Sequence, residues 1–126
     1  MDLIRNILLW VEENCDGNSY EDLYDSDLCQ THDQIVLDEH IALAAERELI
    51  DANYASNGYA IRRLTWDGHE FLDNSRTPEV WKAAKESAGH LSFGVFGAVL
   101  NHLAINHGLS LLKSGFNAAV SAASGS

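Results

Sequence analysis

Hydrophobic residues near the start of the chain recur at the three- and four-residue spacing of an α-helix. This spacing predicts an amphipathic helix over residues 2–14. Asp2 can cap this helix and favours its positive end. The apolar stripe consists of Leu3, Ile4, Ile7, Leu8 and Val11.

A second apolar stripe predicts a helix over residues 32–49. Thr31 and Gln34 fit a capping box at its start, and Asp33 is an alternative N-cap. The segment 15–30 between the two helices predicts a loop with a short strand near Leu23–Leu28. The stripe of the second helix consists of Leu37, Ile41, Ala45 and Leu49.

A β-hairpin is predicted immediately after the second helix. Two strand-like runs, Ile50–Ala55 and Tyr59–Leu64, flank Ser56-Asn57-Gly58. Asn-Gly strongly favours a tight hairpin turn, because both residues tolerate positive φ angles.

Three further helices are predicted from their start signals. Thr65 caps a helix from Trp66 to about Asn74, and Thr77-Pro78-Glu79 opens another that ends near Ala88, since proline is tolerated at the first helical position. Ser92 caps a last helix from Phe93 towards His107, with Gly108 as its C-terminal cap.

A helix followed directly by a two-stranded hairpin is typical of a winged helix-turn-helix. The predicted fold is therefore α+β, a winged-helix-like domain with additional C-terminal helices. A length of 126 residues suits one domain. We expect this domain to cover residues 1–112, and the small-residue stretch 113–126 to form a flexible tail.

Acidic residues outnumber basic ones by 19 to 8, and the imbalance is confined to one part of the chain. Residues 1–51 hold 14 acids and 2 bases, whereas residues 52–126 hold 5 acids and 6 bases. Nucleic-acid binders neutralise phosphates with Lys and Arg. The charge therefore argues against binding to nucleic acid and to anionic membranes.

The uncharged stretch Ser87–Leu112 is long enough to span a bilayer. Polar residues interrupt it at helical spacing, so a buried amphipathic helix is the better interpretation. The interrupting residues are Asn101, His102, Asn106 and His107.

Little in the sequence indicates catalysis. The six histidines form no recognised metal-binding pair, and neither a glycine-rich phosphate loop nor a GxSxG motif is present. Cys15 and Cys29 have neither zinc nor disulfide-framework spacing. We expect reduced thiols in a cytoplasmic protein without a signal peptide, and neither enzyme activity, metal nor cofactor.

The run Arg63-Leu64-Thr65-Trp66-Asp67-Gly68-His69-Glu70-Phe71-Leu72-Asp73 resembles the signature of a family of small phage and prophage proteins, domain of unknown function 2513 (DUF2513). Supporting matches extend the resemblance over roughly residues 1–105. It implies a winged-helix-like fold and a mobile-element origin, but no activity. Glu48 departs from the family, which often has glycine there.

The signature has two interpretations. Packing is favoured: Trp66, Phe71 and Leu72 would hold the helix against the hairpin, and Gly68 would permit close approach. The alternative is an exposed site formed by Trp66 with His69 and Glu70.

The leading functional hypothesis is a non-enzymatic acidic protein that binds a basic protein surface. It could inhibit a host nucleic-acid-handling or defence complex, in the manner of an anti-CRISPR protein or DNA mimic. The alternative is that the acidic segment is a solvated loop that only aids solubility. The predicted contact residues are Tyr20, Glu21, Asp22, Tyr24, Asp25, Asp27, Asp38 and Glu39.

The rival hypothesis is a DNA-binding transcriptional regulator that uses Arg62 and Arg63 on the hairpin wing. Five acids and one arginine on the second helix oppose it, because a recognition helix reads bases through Arg, Lys, Asn or Gln. Excess apolar surface on the last helix, including Phe93 and Val95, also suggests a homodimer.

Overall fold

The computed structural model describes residues 1–55 and 58–124, with residues 109–124 described by their backbone. It divides into two compact units, Met1–Asp73 and Asn74–Ser126. The elements are α1 (Asp2–Asn14), α2 (Leu28–Thr31), α3 (Gln34–Glu46), β1 (Ile50–Ala55), β2 (Gly58–Leu64), α4 (Trp66–Ser75), α5 (Pro78–Ala88) and α6 (Phe93–Ser124).

The first unit has the order of a winged helix-turn-helix, and the α+β prediction is confirmed. Helix α1 has the predicted limits, and its five stripe residues are buried. Asp2 is the first helical residue rather than the N-cap, which is Met1. The hairpin is antiparallel, with Ile50 opposite Leu64, Tyr54 opposite Tyr59, and a bulge between Asp51 and Ala52.

Helix α3 is shorter than predicted. It begins after Asp33, which occupies the N-cap position. The Thr31–Gln34 capping box is wrong, because Thr31 ends the separate helical turn α2. At the other end, the amide of Glu48 donates to the Ala45 carbonyl and that of Leu49 to the Ala44 carbonyl. This pair of bonds is a Schellman motif.

The segment between α1 and α3 also differs from its prediction. The strand expected near Leu23–Leu28 is absent from the described structure, and α2 occupies the end of that range. A single β-bridge joins Glu21 to Ile61 instead. The sequence offered no period for either feature, because one helical turn and one bridge are too short to show one.

The core of the first unit lies between α1, α3 and the hairpin. Each aliphatic side chain that is fully buried there stabilises the fold by roughly 1.5–3 kcal/mol. Its most buried members are Ile4, Ile7, Leu8, Val11, Leu23, Leu37, Ile41, Ile61 and Leu72.

The second unit is built on the packing of α5 against α6. The ring of Trp81 meets the ring of Phe96 edge to face, with centroids 5.4 Å apart. Pro78 starts α5 as predicted. The predicted cap at Gly108 is wrong, because α6 continues through that residue to Ser124. Leu109, Leu111 and Leu112 follow it without a proline, so the apolar pattern continues.

The turn residues Ser56 and Asn57 lie outside the described residues. The single domain over 1–112 and the flexible tail over 113–126 stay predictions.

Candidate protein-binding face

The acidic segment, residues 12–27, lies along the outer side of the hairpin. The amide of Gly17 donates to the Arg62 carbonyl at 3.1 Å. Glu21 and Ile61 exchange backbone hydrogen bonds of 2.8 and 2.7 Å. The segment is therefore tied to β2 at two points and extends the wing by a single bridged residue.

Short side-chain bonds fix the backbone between these points. The carboxylate of Asp16 accepts a 2.8 Å bond from the Asn18 amide, which lowers the pKa of Asp16. Ser19 donates to the carboxylate of Glu21 at 2.9 Å, and the Tyr24 amide donates to Asp22 at 3.2 Å. Bonds of this local kind are typical of Asx and Ser turns.

Four of the six predicted contact carboxylates lie in the acidic segment, and all four are exposed. We use the name acidic face for these four residues and Tyr20: Tyr20, Glu21, Asp22, Asp25 and Asp27. Tyr20 is 45% exposed, and the Arg62 guanidinium lies 5.9 Å from the centre of its ring. Aromatic rings beside charges are frequent anchors in protein interfaces.

Tyr24 has a different environment from Tyr20. Its hydroxyl donates to the carboxylate of Asp38 at 2.5 Å and accepts the Tyr59 amide at 2.8 Å. Burial first, and then the bond to Asp38, raises the pKa of Tyr24 to about 12. Tyr24 and Asp38 thus link the acidic segment to α3 and β2 internally, so their polar groups are already occupied.

Helix α3 presents an exposed surface with few bases. Glu39 and Glu46 are exposed on α3, Arg47 and Glu48 are exposed just after it, and Ile35 is 73% exposed. This is the helix that would enter the major groove in a DNA-binding winged helix. Its charge opposes phosphate.

The two wing arginines share one acidic partner. The Arg62 Nε donates to the carboxylate of Asp51 at 2.9 Å, and a second guanidinium nitrogen forms an ion pair with the same oxygen. Arg63 Nε lies 4.0 Å from it. The structure therefore brings the alternative DNA-binding residues together, but Asp51 offsets one of their two positive charges.

The cysteines lie in separate places, and both are free thiols. Cys15 contacts the Ile61 carbonyl, and Cys29 contacts that of Leu23. Burial, followed by the charges of Glu21 and Asp16, raises the pKa of Cys15 to about 11. Burial and nearby acids also raise the pKa of Cys29. A protonated thiol is a poor nucleophile.

Within the signature, burial of Phe71 and Leu72 and a close approach at Gly68 are confirmed, whereas burial of Trp66 is wrong. Phe71 and Leu72 are buried, and a Cβ on Gly68 would lie 2.0 Å from the Leu49 carbonyl oxygen. Trp66, however, is 83% exposed. Helical geometry could have shown this, since two residues turn a helix by about 200° and place Trp66 opposite Gly68.

Trp66 borders an open depression of about 380 Å³ that sequence reasoning missed entirely. Its polar lining comes from Glu48, Asp51, Arg63, Thr65 and Asp67. These residues come from the end of α3, both strands and the start of α4. Such a junction has no local sequence signature.

Across the described residues, no group of three or more His, Cys, Asp or Glu side chains is placed to hold a metal ion. In the same part of the chain, no helix is both long and apolar enough to cross a bilayer.

Comparison with known proteins identifies a family. The model described as "Hypothetical protein (DUF2513)" matches residues 1–93, a somewhat shorter range than the resemblance suggested. The match contains the first unit, α5 and the start of α6. No curated protein and no solved structure matches the chain. The chain belongs to the DUF2513 family.

Proposed function

We propose that this protein is a non-enzymatic, phage- or prophage-type protein that binds a basic protein surface through its acidic face. A nucleic-acid-handling or defence complex of the host is the concrete partner class. Such complexes expose Lys and Arg to hold phosphates, and a dense carboxylate array can compete for the same surface.

The observation that carries the proposal is an ordered array of exposed carboxylates. The Glu21–Ile61 bridge and the Gly17–Arg62 bond hold the start of the acidic segment, including Glu21, against β2. A fixed array loses less conformational entropy on binding than a mobile loop. A loop that serves solubility alone needs no such order, so the backbone bonds support the proposal.

The test is affinity capture from host lysate, followed by mass spectrometry, with wild-type protein and a face variant. The face variant carries Glu21→Gln, Asp22→Asn, Asp25→Asn and Asp27→Asn. A control variant neutralises four exposed glutamates elsewhere: Glu46, Glu70, Glu79 and Glu86. We expect a basic nucleoprotein bound by wild type and control but lost from the face variant. Equal capture by all three would overturn the proposal.

The helix-turn-helix topology of α2, α3 and the wing favours a second candidate, a DNA-binding regulator that contacts phosphate through Arg63. It predicts a gel shift that weakens steeply with salt and is lost in Arg63→Gln. If the protein does not retard DNA in the gel at low salt, this result counts against the DNA-binding candidate.

We further propose that the protein acts in the host cytoplasm and forms a homodimer through α6. Its two free thiols support the first point. For the second, Val95 and Ile105 are 45% and 53% exposed, with Ala98 and His102 between them at the alternating three- and four-residue spacing of a coiled-coil seam. The sequence continues this spacing at Leu109, Leu112 and Phe116.

A further inference from the structure

We infer that the depression beside Trp66 receives one arginine side chain of a protein partner. The inference rests on the proposed function, because it names the residue type that the basic partner presents. It adds a recognition site outside the acidic face.

The backbone around Trp66 is held by hydrogen bonds although the Trp66 side chain is exposed. The Thr65 amide donates to the Leu49 carbonyl at 3.0 Å, and the Gly68 amide donates to the Thr65 hydroxyl at 3.1 Å. The Thr65 hydroxyl in turn donates to the Glu48 carbonyl. These bonds fix the first turn of α4, where Trp66 is the first residue. A preorganised, exposed tryptophan is typical of an interface anchor.

Glu48 lines the depression in an unfavourable backbone conformation. Its φ of 58° lies in the left-handed region, and it is the only non-glycine residue with positive φ in the described chain. Its place in the Schellman motif is the one that glycine usually fills. Glycine there would relieve the strain but remove the carboxylate from the depression.

The charges of the lining select a cation. Asp51 is engaged by the wing arginines, including Arg63 from the lining itself. Within the described residues, neither Glu48 nor Asp67 forms an ion pair. The lining thus carries three acids against one base, and in the described part of the chain two of those acids have no ion-pair partner beside an exposed indole ring.

Arginine fits this combination better than other side chains. Its planar guanidinium stacks on tryptophan and donates in a fork to carboxylates, whereas lysine offers a compact, strongly hydrated charge. A phosphate would meet repulsion from the carboxylates. An apolar side chain would leave Glu48 and Asp67 to be desolvated without a partner.

The depression is also adjacent to the segment that carries the acidic face. Gly17 lies against Arg63, since a Cβ on this glycine would contact the Arg63 side chain at 3.7 Å. A basic partner seated on the acidic face can therefore extend across β2 to Trp66.

The test titrates tetra-arginine into ¹⁵N-labelled protein and follows the indole N–H signals of Trp10, Trp66 and Trp81 by NMR. We expect a saturable shift that is largest at Trp66, a weaker response to tetra-lysine and none to tetra-citrulline. Binding to Trp66→Leu should be about tenfold weaker. Tyr54→Leu removes another exposed aromatic ring and is the matched control, with affinity unchanged.

Glu48→Gly separates recognition from folding. Relief of the left-handed strain should raise the Tm by about 3–6 °C, while affinity for tetra-arginine falls. If Glu48 has only a structural role, Glu48→Gly should raise the Tm and leave the affinity for tetra-arginine unchanged.

Wild-type affinity in both Trp66→Leu and Glu48→Gly would overturn the inference. Loss of tetra-arginine binding in the face variant alone would also overturn it, while leaving the proposed function intact. Loss in the Trp66 and Glu48 variants but not in the face variant would support the site and count against the acidic face.

Discussion

Residues 1–73 carry 17 acidic and 4 basic side chains, whereas residues 74–126 carry 2 acidic and 4 basic ones. The first unit exposes carboxylates, single aromatic rings and one large aliphatic side chain, Ile35, on a winged-helix frame. The second exposes aliphatic side chains, such as Val95 and Ile105, on a long helix. The strong acidity therefore belongs to the first unit, and the two proposals, a cationic partner for the first unit and an apolar contact for the second, rest on different surfaces.

Two glycines provide the largest expected difference between the units. Gly68→Ala should destabilise the protein by about 3 kcal/mol, because the new methyl group would collide with the Leu49 carbonyl oxygen. In Gly97→Ala the new methyl group on α6 has no atom within 4 Å. This substitution should stabilise the folded protein by up to about 1 kcal/mol, because alanine favours a helix more than glycine does. Urea unfolding measures both, and equal effects would contradict the tight junction between Leu49 and α4.

The apolar surface of α6 gives the second prediction. Placing charges on the seam with Val95→Glu and Ile105→Glu should halve the mass measured by light scattering, because each buried charge opposes association. The face variant should keep the wild-type mass. A wild-type protein that is monomeric at every concentration would remove the homodimer from the account.

Tyr24→Phe tests the internal link in the first unit. It removes the bond to Asp38 and leaves the Tyr59 amide without its acceptor. We expect a loss of about 2 kcal/mol in the free energy of unfolding. Tyr54→Phe alters an exposed ring and should change stability by less than about 0.5 kcal/mol. If the two variants behave alike, Tyr24 does not serve as a structural bridge.

The smallest effect concerns alkaline pH. Burial raises the pKa of Cys15 from 9.0 to about 11. Below pH 9 the thiol is therefore protonated in both the folded and the unfolded chain, and burying it costs no stability through ionisation. Between pH 9 and 11 the unfolded chain ionises first, and stability falls as pH rises. Urea midpoints should therefore fall less steeply in Cys15→Ser than in wild type. Parallel curves would show that the Cys15 environment is not retained in solution.

Sequence patterns predicted the parts of the fold that depend on local periodicity and turn chemistry. The stripe of α1, the limits of β1 and Pro78 at the start of α5 are examples. Helix α2 was missed because four residues cannot show a helical period. The Glu21–Ile61 bridge was missed because it joins residues distant in sequence.

Only the excess of acidic residues in the candidate site could be predicted from the sequence. The charge count located the acidic segment, but exposure and pairing depend on tertiary contacts. Tyr20 and Tyr24 look equivalent in sequence, yet only Tyr24 is bound to Asp38. The sequence favours packing for Trp66 because large aromatic residues usually help to fill cores. Its place opposite Gly68 on α4 instead puts the side chain in solvent.

The most direct test of the central claim compares the affinity of wild type, face variant and control variant for the captured basic partner at low and high salt. Complementary charge predicts that the face variant binds at least tenfold more weakly at low salt, and that this difference shrinks as salt screens the charges. The control variant should follow the wild type. Equal affinities for the face and control variants would contradict the account, because net charge rather than the acidic face would then determine binding.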